Sequence, residues 1–138
     1  MSDLAMLQLV IWREARGESN EGKRAVGHVC QNRTFAPYWW NGHHAFSYKS
    51  VILQPWQFSS FNPSDPNSNR WPENDDPSFA DCCAVALGIA GGSDYDNTDG
   101  STHYFDVSLP EFPKGWGDPA KYYHTVDIGR LKFYRYIG

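Results

Sequence analysis

The chain contains 138 residues, of which 16% are aromatic and 20% are charged, and its formal net charge is −4. The length is typical of one domain, so we expect a single domain over residues 1–138 with a sizeable core. Because acidic residues outnumber basic ones and the basic residues are scattered, we expect no nucleic-acid partner. The apolar runs are too short to cross a bilayer, so we expect no membrane insertion, and we expect a monomer.

The three cysteines indicate free thiols and not a disulfide framework. Cys82 and Cys83 are adjacent, and Cys30 falls on the apolar side of a predicted helix. We therefore expect buried free thiols and synthesis in a reducing compartment. The N-terminus lacks the basic segment and the cleavage site of a signal peptide, so we expect the chain to be made in the cytoplasm without one.

The first predicted helix covers residues 4–16, with Asp3 as its N-cap and Gly17 at its end. Its apolar stripe ends in a carboxylate, because one helical face carries Leu4, Leu7, Ile11 and Glu14. Loss of hydration on such a face favours the protonated form of a carboxyl group, which is what a general acid needs. The alternative is a helix that ends near Ile11 and leaves Glu14 in solvent.

A second helix is predicted over residues 21–33, with Ser19 or Asn20 as its N-cap. The link between the two helices is short, so we expect a tight corner at residues 16–18. The predicted buried face of the second helix consists of Ala25, Val26, Val29 and Cys30.

Residues 34–77 form a long segment rich in Pro, Asn, Ser and Asp, with one short helix predicted over residues 47–53. A segment of this length and aromatic content indicates a functional loop and not disorder. Several aromatic residues lie in polar sequence in this segment and after it: residues 38–40, Trp56, Trp71 and Trp116. They suit either a sugar-binding groove or a small core under long loops.

Asp76 followed by Pro77 predicts the start of a third long helix, which ends near Ala90 before a pair of glycines. We expect its inward face to carry Ala80, Cys83, Ala84 and Leu87. Strands are predicted over residues 102–106, 125–128 and 131–137, with a hairpin at residues 128–131. Helices followed by a small antiparallel sheet predict the α+β fold class.

Glu18 lies four residues after Glu14, but Gly17 ends the helix between them. We therefore expect Glu18 to support the corner by capping or by pairing with Arg16, Lys23 or Arg24 rather than to act in chemistry.

The five histidines show no metal-binding spacing, and the sequence has no CxxC pair, so neither a metal nor another cofactor is predicted. We expect His28 on a helix surface and His43 and His44 in a loop. His103 and His124 lie beside tyrosines at strand edges, where each either binds substrate or is satisfied within the sheet. For His103 we favour the second interpretation.

The sequence resembles the cell-wall hydrolase family of spore-cortex-lytic enzymes of the SleB type. The resemblance rests on blocks that follow the family's order over nearly the whole chain: residues 11–18, 22–29, 32–33, 51–59, 90–92, 100–105 and 124–135. It implies a lysozyme-like fold of the goose-lysozyme and lytic-transglycosylase kind and a single catalytic domain. It also implies cleavage of the β-1,4 bond between N-acetylmuramic acid and N-acetylglucosamine in peptidoglycan glycan strands.

The resemblance assigns the catalytic carboxylate to Glu14, the first Glu of the motif, and leaves Arg16 and Glu18 as structural support. The motif positions expected to line the substrate groove are Gln57, Phe58, Ser59, Thr102, Tyr104, His124 and Thr125. Two segments depart from the family pattern where substrate-contacting loops are expected, residues 61–76 and 110–123.

The resemblance implies a reaction that needs a single Glu, so we favour a lytic transglycosylase. The alternative is an inverting muramidase, which needs a second carboxylate. Possible bases are Glu73, Asp94, Asp96, Asp99 and Asp106, all in turn-rich sequence. A non-catalytic carbohydrate-binding module explains the aromatics but not the position of Glu14. Free thiols and the absence of a signal peptide favour a phage endolysin that acts on the host cell wall, with an autolysin exported within a larger protein as the alternative.

Overall fold

The computed structural model describes residues 1–36, 47–54 and 57–138. The predictions for residues 38–40, His43, His44 and Trp56 lie outside these residues. Within them, four α-helices precede one three-stranded antiparallel sheet: α1 (Asp3–Ala15), α2 (Asn20–Phe35), α3 (Tyr48–Ile52), α4 (Pro77–Ala90), β1 (His103–Asp106), β2 (Tyr122–Ile128) and β3 (Leu131–Tyr136). None of these helices has the length and apolar character needed to cross a membrane.

Helix α1 begins one residue earlier than predicted, because Ser2 is its N-cap and accepts a hydrogen bond from the Ala5 N–H. The prediction that Asp3 caps α1 is therefore wrong. The Asp3 carboxylate instead accepts hydrogen bonds from the N–H groups of Tyr48 and Lys49, at 3.1 and 2.8 Å. These N–H groups lie in the first turn of α3, so Asp3 ties the two helices together.

Helix α2 has Ser19 as its N-cap and packs closely against α1 and α4. Its buried face carries the four residues predicted for it. The contact with α4 depends on Gly27, because a Cβ there would lie 2.4 Å from the Cδ1 atom of Ile89. A larger residue at position 27 would therefore require the side chains of Ile89 and Ile11 to repack.

Helix α4 begins at the predicted cap but buries a different face. Ala80, Ala84 and Leu87 are exposed and Cys83 is half-buried, so the predicted inward face is wrong. The buried residues are Cys82, Ala86 and Ile89. The helix is apolar on all sides, so periodicity alone does not identify the face that packs against α1 and α2.

The sheet has the strand order β1-β3-β2, with β3 in the centre. The predicted hairpin between β2 and β3 is confirmed, and Gly129 adopts a φ of +56° in its turn. Strand β2 begins three residues earlier than predicted and carries a bulge between His124 and Val126.

Two apolar clusters hold these elements together. The larger one joins α1, α3 and α4 around Leu7, Ile11 and Ile52, and the smaller one joins α2 to β3 through Val29 and Phe133. Each fully buried side chain of this size contributes roughly 1.5–3 kcal/mol to the free energy of folding. Tyr104 packs against both clusters, so this β1 residue lies where the helices meet the sheet.

The three cysteines are free, with Cys30 and Cys82 buried and Cys83 half-buried. Burial raises the pKa of the Cys30 thiol to about 12 and that of Cys82 to about 11. Both therefore stay protonated near neutral pH and are poor nucleophiles.

Candidate active site

Glu14 lies in the last turn of α1, half-buried, with two hydrogen-bond donors on its carboxylate. The Tyr104 hydroxyl donates to Oε1 at 2.6 Å, and the Ser60 N–H donates to Oε2 at 3.1 Å. Ser60 belongs to a short 3-10 turn over Ser59–Phe61, and Tyr104 belongs to β1. Three separate elements therefore converge on one carboxyl group.

The carboxylate of Glu14 lines a cavity of about 540 Å³ between the end of α1, the turn after residue 57 and strand β1. Its walls are formed by Glu14, Arg33, Gln57, Ser59, His103, Tyr104, Phe105, Asp106, Leu109, Pro113, Gly115, Trp116 and Leu131. A cavity of this size fits a small ligand or one segment of a polymer.

Tyr104 is a neutral donor at the base of this cavity. Burial raises its pKa well above the usual value, and the charge of Glu14 adds to the increase. The phenol therefore keeps its proton at neutral pH, and Oε1 of Glu14 keeps a donor.

Arg33 lies in the last turn of α2 and is 4% exposed, yet its guanidinium reaches the cavity wall. Its Nε donates to the Thr102 carbonyl at 2.6 Å, and its Nη1 donates to Oε1 of Gln57 at 3.1 Å. Burial lowers the pKa of Arg33 to about 10, so the group stays cationic at neutral pH.

The structure brings three of the seven predicted groove residues to Glu14. Gln57, Ser59 and Tyr104 line the same cavity. Phe58 and Thr102 do not line it, because Phe58 is 2% exposed in the core and the Thr102 hydroxyl accepts a hydrogen bond from the Tyr136 N–H.

His124 and Thr125 lie on β2, which β3 separates from β1 and the cavity. The Nε2 atom of His124 contacts Oδ1 of Asp127 at 2.6 Å, and Thr125 donates to the Phe133 carbonyl. These two residues therefore do not line the cavity that holds Glu14, because the order of strands places them on the far edge of the sheet.

Arg16 caps the C-terminal end of α1. Its guanidinium donates to the carbonyls of Trp12 and Arg13 and to Oδ1 of Asn67, at 3.4, 3.2 and 2.9 Å. A cation on these terminal carbonyls stabilises the helix end that carries Glu14.

Glu18 lies between α2 and the β2–β3 turn. A Cβ on Gly22 would lie 2.8 Å from the Glu18 Cβ, and one on Gly129 would lie 2.9 Å from its Oε2. Among the described residues, no ion pair joins Glu18 to the three cations expected for it, and Lys23 and Arg24 pair with Asp81 and Asp94 instead. The pairing was therefore predicted wrongly.

The acidic loop after α4 is fastened to α2. Asp94 contacts Nε2 of His28 at 2.7 Å and Arg24 at 3.0 Å, and Asp96 accepts a hydrogen bond from Asn32 at 2.9 Å. His28 is therefore buried under this loop, and its predicted place on the helix surface is wrong. Two of the five candidate bases thus have structural partners.

Asp106 is the candidate base that lines the cavity. Its Oδ1 accepts hydrogen bonds from the Ser108 N–H at 2.8 Å and from Arg130 at 3.0 Å. The Ser108 N–H, and after it Arg130, holds the pKa of Asp106 below its usual value. Asp99 and Glu73 are exposed and do not line the cavity.

His103 is satisfied within the sheet, as favoured above. Its Nδ1 contacts the Thr102 hydroxyl at 2.8 Å, and its ring packs edge-on against Trp116 at 4.8 Å. Burial lowers its pKa to about 2, so the imidazole is neutral.

The two departing segments border different clefts. Pro113 and Trp116 of the segment over residues 110–123, together with the preceding Leu109, give the active-site cavity an apolar wall. The segment over residues 61–76 borders a separate cleft of about 610 Å³, where Trp71 is 59% exposed and lies against the Arg13 guanidinium.

Sequence reasoning identified Asp106 as a possible base but missed Arg33 and the Ser60 N–H. Arg33 had a usable signal, because it follows Val29 and Cys30 at helical spacing and ends an apolar stripe just as Glu14 does. Ser60 acts through its backbone, which no side-chain pattern reveals. Among the described residues, no group of three or more His, Cys, Asp or Glu is placed to hold a metal ion.

Comparison with known proteins identifies the family. Residues 17–134 match the family model described as Cell Wall Hydrolase, so the match begins three residues after Glu14. No curated protein matches the chain.

Two solved structures share the fold. The catalytic domain of the germination-specific lytic transglycosylase SleB from Bacillus anthracis is 22% identical, with a TM-score of 0.66 over 95% of this chain and 92% of that one. The catalytic domain of the Bacillus cereus SleB protein is 21% identical, with a TM-score of 0.66 over 95% of this chain and 88% of that one. The predicted lysozyme-like α+β fold is thereby confirmed. The chain belongs to the cell wall hydrolase family and is a peptidoglycan-degrading enzyme.

Proposed function

We propose that the chain is a lytic transglycosylase that cleaves the β-1,4 bond between N-acetylmuramic acid and N-acetylglucosamine, with Glu14 as its one catalytic acid and base. The observation that carries this proposal is the carboxyl group of Glu14, held by Tyr104 and the Ser60 N–H at the wall of a 540 Å³ cavity. The name of the Bacillus anthracis relative supports the transglycosylase reaction.

In the first step, protonated Glu14 gives its proton to the glycosidic oxygen while the bond from that oxygen to C1 of the muramic residue breaks. Positive charge develops at C1, and Glu14 becomes a carboxylate. The Tyr104 hydroxyl and the Ser60 N–H stabilise the negative charge on the Glu14 carboxylate, since both already donate hydrogen bonds to it and neither must move to do so.

In the second step, the same carboxylate accepts the proton of the muramic C6 hydroxyl, whose oxygen attacks C1. The product is a 1,6-anhydro ring, and Glu14 is protonated again. Water is not consumed, so one carboxyl group suffices for both steps.

The shape of the cavity suits a glycan strand with one polar and one apolar side. We propose that Gln57, Ser59 and Tyr104 contact the hydroxyl and acetamido groups, while Leu109 and Trp116 pack against the sugar faces. Phe58 and Thr102 support this surface from the protein interior and do not contact the glycan.

Mass spectrometry of digested peptidoglycan tests the reaction type. We expect muropeptides that end in anhydro-muramic acid, each lighter by one water than the hydrolysis product. Reducing ends without any anhydro product would overturn the proposal for a transglycosylase but not that for a glycosidase.

A second candidate reaction is inverting hydrolysis, which the position of Asp106 in the same cavity favours. An inverting enzyme needs a second carboxylate about 6.5–9.5 Å from the acid, with a water between them. Asp106→Asn distinguishes the two reactions. Hydrolysis through Asp106 requires near-complete loss of activity in this variant, whereas the transglycosylase retains anhydro-product formation.

We further propose that the protein is a monomer and serves as a phage endolysin, made in the host cytoplasm. Its three free cysteines support synthesis in a reducing compartment. Light scattering after size exclusion tests the first point. Expression inside a bacterial host, with and without permeabilisation of the membrane, tests the second, because an endolysin lyses only the permeabilised cells.

A further inference from the structure

Arg33 is a buried cation in the last turn of α2, and its contacts reach two other segments. Burial of a guanidinium costs hydration, which is offset only when its N–H groups find acceptors. Two of its acceptors are the Thr102 carbonyl at 2.6 Å and Oε1 of Gln57 at 3.1 Å. The guanidinium also lies 4.9 Å from the ring centre of Phe58.

These contacts fall on the same two segments that supply the donors to Glu14. Gln57 precedes Ser60 by three residues, and Thr102 precedes Tyr104 by two. Ser60 and Tyr104 donate to opposite oxygens of the Glu14 carboxylate. One side chain therefore holds both segments in place just upstream of the groups that contact the carboxyl.

The bond to Gln57 also fixes which way its amide points. An arginine can only donate, so the Gln57 side chain must turn its oxygen towards Arg33. The Nε2 atom then points away from Arg33, and Gln57 lines the cavity. Its two N–H groups are thereby available as donors to an acceptor oxygen of the glycan.

We propose that Arg33 is a positioning residue of the active site, which fixes Gln57 as a hydrogen-bond donor to the glycan and clamps the segments that carry Ser60 and Tyr104 against Glu14. The inference rests on the proposed function, because it assigns Gln57 a contact with the substrate. It adds a role for α2, which otherwise only supports the fold.

A double-mutant cycle between Arg33→Lys and Gln57→Leu tests the proposal through kcat/KM on soluble peptidoglycan fragments. Lysine keeps the charge but lacks the planar fork that holds both acceptors. We expect Arg33→Lys to lower kcat/KM by about 10- to 100-fold, and Gln57→Leu to lower it about tenfold in the natural chain but less than twofold in the Arg33→Lys background. Additive losses would overturn the proposal.

Arg135→Lys is the matched control, because Arg135 lies on β3 away from the cavity and donates to the Asp99 carbonyl. We expect it to leave kcat/KM within twofold and to show additive losses with Gln57→Leu. Thermal unfolding of each variant separates a loss of fold from a loss of positioning.

Gln57→Glu provides a second arm that leaves Arg33 in place, and it decides the question if Arg33→Lys does not fold. The new carboxylate still accepts from Arg33 but offers no donor to the glycan. We expect a folded variant whose KM rises about tenfold or more. An unchanged KM would overturn the inference, whereas a natural chain that cleaves no peptidoglycan would instead overturn the proposed function.

Discussion

The two walls of the cavity are built in different ways. On the polar wall, hydrogen bonds from distant elements hold each side chain, as when Tyr104 and Ser60 hold Glu14 or Arg33 holds Gln57. On the second wall, called the aromatic wall here, Leu109, Pro113 and Trp116 lie on a loop whose Phe112 ring packs against Phe105 and Tyr134 of the sheet. The first wall fixes the direction of donors and acceptors, and the second offers only shape and apolar surface. We therefore expect substitutions of the groups that contact Glu14 to lower kcat, and substitutions on the aromatic wall to raise KM.

The largest effect is expected for Glu14→Gln on the polar wall. The amide has nearly the same shape but cannot pass a proton, so we expect lysis of cell walls to fall by about 10³-fold or more. Loss of turbidity of a cell-wall suspension measures it. Glu73→Gln, on an exposed loop, is the control and should retain full activity. If the Glu14→Gln variant still lysed cell walls, Glu14 would not be the catalytic residue.

Tyr104→Phe should have the next largest effect. It removes one donor, at 2.6 Å from Glu14, and keeps the ring that packs on both clusters. We expect kcat to fall about 100-fold with little change in KM, because the donor stabilises charge that forms during the reaction. Steady-state kinetics measure both constants. Tyr95→Phe, on an exposed side chain, should change neither.

Trp116→Ala tests the aromatic wall. The ring packs against His103, Phe112 and Tyr122, so its loss should lower the free energy of unfolding by about 2–3 kcal/mol. We expect KM to rise about tenfold while kcat changes less than threefold. A fall in kcat with unchanged KM would erase the difference between the walls.

Leu109→Ala distinguishes the contribution of this wall to substrate binding from its contribution to the stability of the fold. Leu109 is exposed at the cavity rim, so we expect unchanged thermal unfolding and a rise in KM of about threefold.

The smallest effect is expected away from both walls, at Asp96. Burial raises the pKa of this carboxyl, but hydrogen bonds from Thr98, Asn32 and Gly100 outweigh it, and the pKa in the folded state is lowered. Asp96 therefore stabilises the fold above the pKa of an unfolded aspartate, about 3.9, and loses this effect as the pH falls through the lower folded value. We expect Asp96→Asn to lower the free energy of unfolding by about 1–2 kcal/mol at pH 7, with a smaller difference at pH 3. Denaturant unfolding at the two pH values measures it, and kcat should not change.

The polar wall was partly predictable from sequence, because helical periodicity shows where a charged residue ends an apolar stripe. This identified Glu14, and the same reasoning applied to α2 leads to Arg33. Gln57, Ser59 and Tyr104 came from the family resemblance. The donor at Ser60 was not predictable, because it is a backbone group placed by a 3-10 turn.

The misplaced histidines share one physical origin, which is contact across long sequence separations. His28 is buried because Asp94 reaches it from 66 residues away. His124 and Thr125 do not line the cavity that holds Glu14 because β3 pairs between β1 and β2, an order that local patterns do not contain. The inward face of α4 was wrong because its apolar residues surround the whole helix.

The central place of β3 has a consequence for when the enzyme becomes active. Strand β1 pairs with β3 alone, and Tyr104 of β1 reaches Glu14 across 90 positions of the chain. Residues 131–136 leave the ribosome after β1, so a nascent chain that has not yet released them lacks a partner for β1. We expect a chain cut after residue 130 to show no wall-lysing activity in the soluble state. The order of the strands would then keep the enzyme inactive until its last strand has left the ribosome.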